Sequence, residues 1–192
     1  MENVATLSLP AQSLETSEGR AKEALNTAFK QTGMIPNMYA KMANSAGLLE
    51  TYLFGYNLFR KESGFTPAEQ EVVLLTISRV NECTYCMAAH SMIAEVVSKT
   101  PAQIIAALRA GQPLEDQKLG TLSRFTQLMV ESRGRPTDED LQAFIAAGYA
   151  ERHVLEIILA IAVKTISNYG NHLFHTELDQ RFEKYAWNSV SE

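Results

Sequence analysis

The strongest constraint on the fold is the way helix starts recur along the chain. Thr66-Pro67-Ala68-Glu69 puts a hydroxyl at an N-cap, proline at the first helical position and a glutamate three residues after the cap, the pattern of a reciprocal capping box. Thr100-Pro101-Ala102-Gln103 repeats that chemistry. Thr137-Asp138-Glu139-Asp140 places acids in a first turn, where the helix dipole favours negative charge. Helix stops stand between these starts: Gly111, Gly134 and Gly148 each follow a run of helix formers, where a left-handed cap would end a helix.

Between the marks, apolar residues recur at threes and fours, as in Leu119, Leu122, Phe125, Leu128 and Met129, and no run alternates with period two. The predicted fold class is therefore all-α. Helices are expected over residues 18–31, 38–44, 46–62, 67–80, 82–97, 101–110, 115–133, 138–147 and 151–184, the last broken near Gly170. Residues 1–15 carry Pro10 and little periodicity, and read as an arm, flexible or laid over a neighbour; residues 16–192 read as a single domain.

With 192 residues, 46% of them hydrophobic, the chain is long and apolar enough to build a core without disulfides. Its formal net charge of -5 and the absence of a Lys/Arg run argue against nucleic acid as a partner, since that affinity rests on clustered positive charge. The first twenty residues have neither a basic region nor a long apolar one, so no secretory leader is read there and a cytoplasmic location is expected. Spanning a bilayer takes roughly 20 apolar residues. The longest candidate, residues 154–166, is interrupted by Glu156 and Lys164, so no membrane role is expected.

The chemistry concentrates between residues 69 and 90. Cys83 and Cys86 are the only cysteines, and with Asn81 or Glu82 near a helix start they fall in a first turn, where unpaired amides and the dipole stabilise a thiolate. Three residues apart on a helix, the two side chains share a face, so an oxidised sulfur on one is open to attack by the other. As a structural staple such a pair is weak, because so short a loop removes little chain entropy. His90 lies one turn beyond Cys86 on the same face, spaced to accept its proton directly or through a water. Glu71, directly before Val-Val-Leu-Leu, belongs either to a solvated helix edge or to a buried polar site. If its helix packs on the Cys–His helix, it is placed to orient His90. Glu69 and Glu82 read as capping and surface residues.

Other readings of these residues carry less. A zinc site would need two ligands beyond the cysteines; His172 and His175 are available but too far along the chain for a compact zinc pattern, and no metal is expected. A thioredoxin-like fold would put a strand before Cys83, where the pattern is helical. His153 reads as an ordinary helix histidine. The stretch from Asn168 through His172 to His175 interrupts an apolar helix with polar groups, as either a buried hydrogen-bond network or a pocket wall. Tyr52, Phe54, Tyr56, Phe59 and Met34, Met38, Met42 read as core or oligomer contact rather than a cofactor box.

Glu71, Cys83, Cys86 and His90, spaced E-x11-C-x-x-C-x-x-x-H, resemble the core motif of the alkylhydroperoxidase D-like, or carboxymuconolactone decarboxylase, superfamily. Ile35-Pro36-Asn37-Met38 and residues 168–179 resemble its longer, peroxidase-related members. The resemblance implies an alkylhydroperoxidase D-like multi-helix bundle, assembled as a homo-oligomer (trimer or hexamer), that reduces organic hydroperoxides. It assigns Cys86 as the peroxidatic thiol, Cys83 as the resolving thiol, and His90 and Glu71 as a proton relay. It implies no tightly bound cofactor and an external dithiol or protein reductant. The alternatives it leaves are a thiol–disulfide oxidoreductase serving another peroxidase, and a lactone decarboxylase, although decarboxylase members lack the cysteine pair. Alkylhydroperoxidase D proper has histidine where this chain has Tyr85, whose hydroxyl is a candidate donor to a thiolate or hydroperoxide. Asn168 and His172 are candidate supporting residues.

Overall fold

The computed structural model describes residues 4–188, which contain α-helices and one 3-10 helix and no strand. The helices are α1 (Gly19–Thr32), α2 (Asn37–Met42), α3 (Ala46–Glu62), α4 (Pro67–Val80), α5 (Thr84–Val96), α6 (Ala102–Ala110), α7 (Gln117–Glu131), α8 (Asp138–Ala146) and α9 (Glu151–Phe174). A 3-10 helix, Gln180–Tyr185, follows. No helix among the described residues is long and apolar enough to cross a membrane.

Local chemistry sets most boundaries. At α4 the Thr66 hydroxyl accepts from the Glu69 amide while the Glu69 carboxylate accepts from the Thr66 amide, and Thr137 and Asp140 do the same at α8. Each such cap contributes about 1 kcal/mol. Gly111, Gly134 and Gly148 all take positive φ just after a helix, as expected. Two expectations fail. The Thr100 box does not form: Pro101 is the cap residue of α6, and the Thr100 hydroxyl is buried without a partner among the described residues.

The second failure concerns α9, which neither breaks at Gly170 nor runs to 184. It stops at Phe174 because His175 turns left-handed (φ 45°), and the Thr176 amide then bonds back to the Asn171 carbonyl. A non-glycine residue in this conformation gives no sequence signal, and it costs about 1 kcal/mol that tertiary contacts must offset. Those contacts come from the Asp179 carboxylate, which accepts from the Asn37 amide (3.1 Å) and the Tyr85 hydroxyl (2.5 Å) and folds the 3-10 helix against α5.

The central element is α4, in which every residue from 69 to 78 is buried, including Glu69, Gln70 and Glu71. One core gathers Phe59, Val72, Leu75, Leu122, Phe125, Phe144 and Ile157 around α4, α7, α8 and the start of α9. A second gathers Leu25, Met42, Leu49, Tyr52 and Val163 with both cysteines between α1, α2, α3, α5 and the later part of α9. Helices α3 and α9 pack closely because Gly55 has no side chain: a Cβ there would stand 2.6 Å from Val163 Cγ1. The N-terminal arm lies along its own chain, the Leu7 amide bonding to the Leu173 carbonyl and the Gln12 amide to the Ala40 carbonyl, both at 2.9 Å.

Candidate functional site

The turn from α4 to α5 positions the cysteines. Asn81 ends α4, Glu82 turns left-handed (φ 53°), and the Cys83 amide reaches back to the Ser78 carbonyl at 2.9 Å. Cys83 thereby becomes the N-cap of α5, whose first residue is Thr84 rather than residue 82, and Cys86 falls in the first turn. Both thiols are free and buried. Nδ2 of Asn171, on α9, lies 3.4 Å from Cys86 Sγ and 3.7 Å from Cys83 Sγ.

The carboxylate of Glu71 is wholly buried. His90 Nδ1 lies 3.0 Å from Glu71 Oε2, so the ring donates there and keeps Nε2 as its acceptor. The other oxygen receives Arg60 Nη1 at 2.5 Å, and Arg60 also donates to the Tyr56 hydroxyl at 2.6 Å. Of the two environments the sequence leaves open to Glu71, the fold supplies the buried one.

Burial pushes the Glu71 carboxyl up, but Arg60 and His90 outweigh it and hold it below the usual carboxylate range. Burial, followed by the Lys164 ammonium, holds His90 below the usual imidazole range against the pull of Glu71. Burial also pushes Cys86 up. The hydrogen bond from Cys83, the Lys164 charge, His90 and a bond from Ser167 reverse this and bring Cys86 well below an ordinary thiol. Cys83, buried and donating to its neighbour, is held well above.

Cys86 and His90 line a cavity of about 510 Å³ whose walls include Tyr39, Tyr52, Tyr56 and Phe182. Tyr52, Tyr56 and Met38, expected as core or oligomer contact, are also wall residues of this cavity. Cys83 instead lines a separate cavity of about 280 Å³ with His172 and His175. No group of three or more His, Cys, Asp or Glu among the described residues is placed to hold a metal ion. Tyr85 lines both cavities, and its hydroxyl is directed to Asp179 and not to a thiol. Asn168 is buried and accepts from Asn81 Nδ2 at 2.9 Å, tying α9 to the end of α4.

Residues 49–118 match the carboxymuconolactone decarboxylase family. The superfamily resemblance read from the motif is borne out, and Arg60, Glu71, Cys83, Cys86 and His90 all fall in the family segment. No curated protein matches the chain. Among solved structures, the chain is similar to the alkylhydroperoxidase AhpD core of an uncharacterized peroxidase-related protein from Ralstonia eutropha JMP134, at 18% identity and TM-score 0.78, over 91% of this chain and 93% of that one. It is likewise similar to an uncharacterized peroxidase-related protein from Silicibacter sp. TM1040, at 20% identity and TM-score 0.75, over 94% of this chain and 95% of that one. These likenesses show the all-α fold that the chain shares with the two structures.

Beyond the family segment, α9 sends Lys164, Ser167, Asn168 and Asn171 into the protein, all of them buried. Asn168 and Asn171 belong to the polar stretch singled out in the sequence as a buried network or pocket wall; Lys164 and Ser167 were not expected at the site, nor were Arg60 and Asp179. The signal for the α9 residues was present as polar side chains spaced by threes and fours within an apolar helix, which is one face. For Arg60, in the last turn of α3, no local signal exists.

Proposed function

We propose that the protein is a thiol-dependent peroxidase that reduces organic hydroperoxides through Cys86 and Cys83. The observation that carries this reading is the asymmetry of the pair: Cys86 shares an apolar cavity with His90, whereas Cys83 lies outside it and lines a separate one. A peroxidatic sulfur needs ionisation and access to an apolar peroxide, and a resolving sulfur needs to retain its proton until the first has reacted.

In the reaction, the Cys86 thiolate attacks the terminal peroxide oxygen, the O–O bond breaks, and the alkoxide leaves as alcohol, taking a proton that enters from solvent and is relayed through His90 Nε2. Glu71 keeps the His90 tautomer fixed. Cys83 then attacks the Cys86 sulfenic acid, forming the disulfide and releasing water. One hydroperoxide takes two electrons from the pair, and an external dithiol or protein reductant restores them. A homo-oligomer, trimeric or hexameric, is part of the same proposal; exposed Leu155, Ile158 and Tyr169 on α9 are apolar surface that association would cover.

Thiol counting by intact mass, before and after one equivalent of cumene hydroperoxide, tests the reading. Wild type should lose two thiols to a disulfide, Cys83→Ser should accumulate a sulfenic acid on Cys86, and Cys86→Ser should stay inert. If wild type keeps both thiols while remaining competent to reduce protein disulfides, the chain is an exchange partner of another peroxidase instead.

A further inference from the structure

Lys164 stands at the middle of α9 with its side chain fully buried, and its Nζ has no hydrogen-bond partner among the described residues. An ammonium taken out of water without a counter-ion is strongly disfavoured, so one in this position calls for a nearby anion. Its helix face identifies the neighbourhood. Asn171, two turns on, places its Nδ2 3.4 Å from Cys86 Sγ, and Val163, the residue before Lys164, packs in the core cluster that holds both cysteines.

The surrounding charges leave one opening. From α3, Arg60 is paired with Glu71 of α4, and that carboxylate is shared with His90 of α5, so neither is free for Lys164. Asp179 is engaged by Tyr85 and the Asn37 amide. The facing phenols, Tyr39 of α2, Tyr52 and Tyr56 of α3 and Tyr85 of α5, are all raised by burial and stay neutral. A cysteine is the group that remains to carry the balancing charge.

We infer that Lys164 is the buried counter-ion of the Cys86 thiolate and thereby sets the redox poise of the Cys83/Cys86 pair. The inference rests on that pair being redox-active, as in the peroxidase reading, and adds a residue outside the motif. Lys164 is a positioning residue, since it acts on the sulfur through its charge. Disulfide formation converts one thiolate and one thiol into neutral disulfide sulfur: the pair gives two electrons and one proton to the hydroperoxide, which takes a second proton from solvent to become alcohol and water. Lys164 is then left uncompensated. The reduced state is favoured, and the disulfide is correspondingly oxidising and easily re-reduced.

The test is ultraviolet thiolate titration together with redox equilibration against a glutathione buffer, on wild type, Lys164→Met and Lys164→Arg. Wild type should already hold a thiolate at neutral pH. Lys164→Met should lower the thiolate-to-thiol ratio at a given pH at least tenfold and shift the dithiol–disulfide equilibrium at least tenfold toward disulfide, about 30 mV in potential for this two-electron couple. Lys164→Arg should retain most of both properties. A wild type without thiolate at neutral pH, a measurement that needs no variant to fold, overturns the inference. So does a folded Lys164→Met with unchanged titration and potential. Neither readout involves peroxide: if the thiolate and potential move as stated but hydroperoxide is not consumed, the peroxidase reading falls and this one stands.

Discussion

Glu71 and His90, on adjacent helices and nineteen positions apart in sequence, meet at 3.0 Å in the interior, and Arg60 completes the row from a third helix. Its consequence is a histidine with one tautomer, Nδ1–H toward the carboxylate and Nε2 free. Replacing His90 with Gln keeps a polar side chain but removes the proton carrier. Sulfenic acid formation on Cys86 should slow by about 10²-fold, read by stopped-flow with cumene hydroperoxide, while the thiol count of the resting protein stays at two.

Glu71→Gln removes the anion shared by two partners and leaves the partly buried Arg60 guanidinium beside a neutral amide. Breaking a buried pair this way costs about 3 kcal/mol. The denaturant midpoint should fall accordingly, and Arg60→Met in the same background should recover part of the loss by removing the stranded charge.

Acid should destabilise the fold in two stages. His90 is depressed below its ordinary value of 6.5, so as pH falls below that value the unfolded chain binds a proton that folded His90 does not, and stability drops. Glu71 is depressed below 4.5; its contribution, complete above that value, is lost as pH falls through its lower folded value. Urea unfolding of the Cys83→Ser/Cys86→Ser double variant, free of thiol titration, should show the first drop beginning near pH 6.5, and adding His90→Gln should abolish it.

Tyr85→Phe should loosen the wall of the larger cavity without touching the thiols. The lost hydroxyl leaves the Asp179 carboxylate with one partner fewer, at about 1–2 kcal/mol. Hydrogen exchange should rise across residues 179–186, and KM for bulky hydroperoxides should increase more than kcat decreases.

Gly55→Ala tests the α3–α9 contact that carries Lys164 and Asn171 to the cysteines. The added methyl would press on Val163, and overpacking of this kind costs about 1–3 kcal/mol. Thermal unfolding should move down by that amount, and the reactivity of Cys86 should fall with it as α9 is pushed outward.

The all-α class, the capping boxes at Thr66 and Thr137, the glycine stops and the Glu71–Cys83–Cys86–His90 spacing were all legible in the chain, because each depends on residues within a few positions of one another. Helix caps are local hydrogen bonds, and an i to i+3 or i+4 relation is fixed by helix geometry before any packing occurs. What lay beyond reach joins distant positions. The burial of Glu71 depends on α3, α5 and α9 closing around α4. The left-handed stop at His175 is held by contacts of Asp179 with Asn37 and Tyr85. The roles of Arg60, Lys164 and Asn171 around the sulfurs belong to the same class: a charge's effect is set by distance and desolvation in space, and those quantities exist only once the helices have packed.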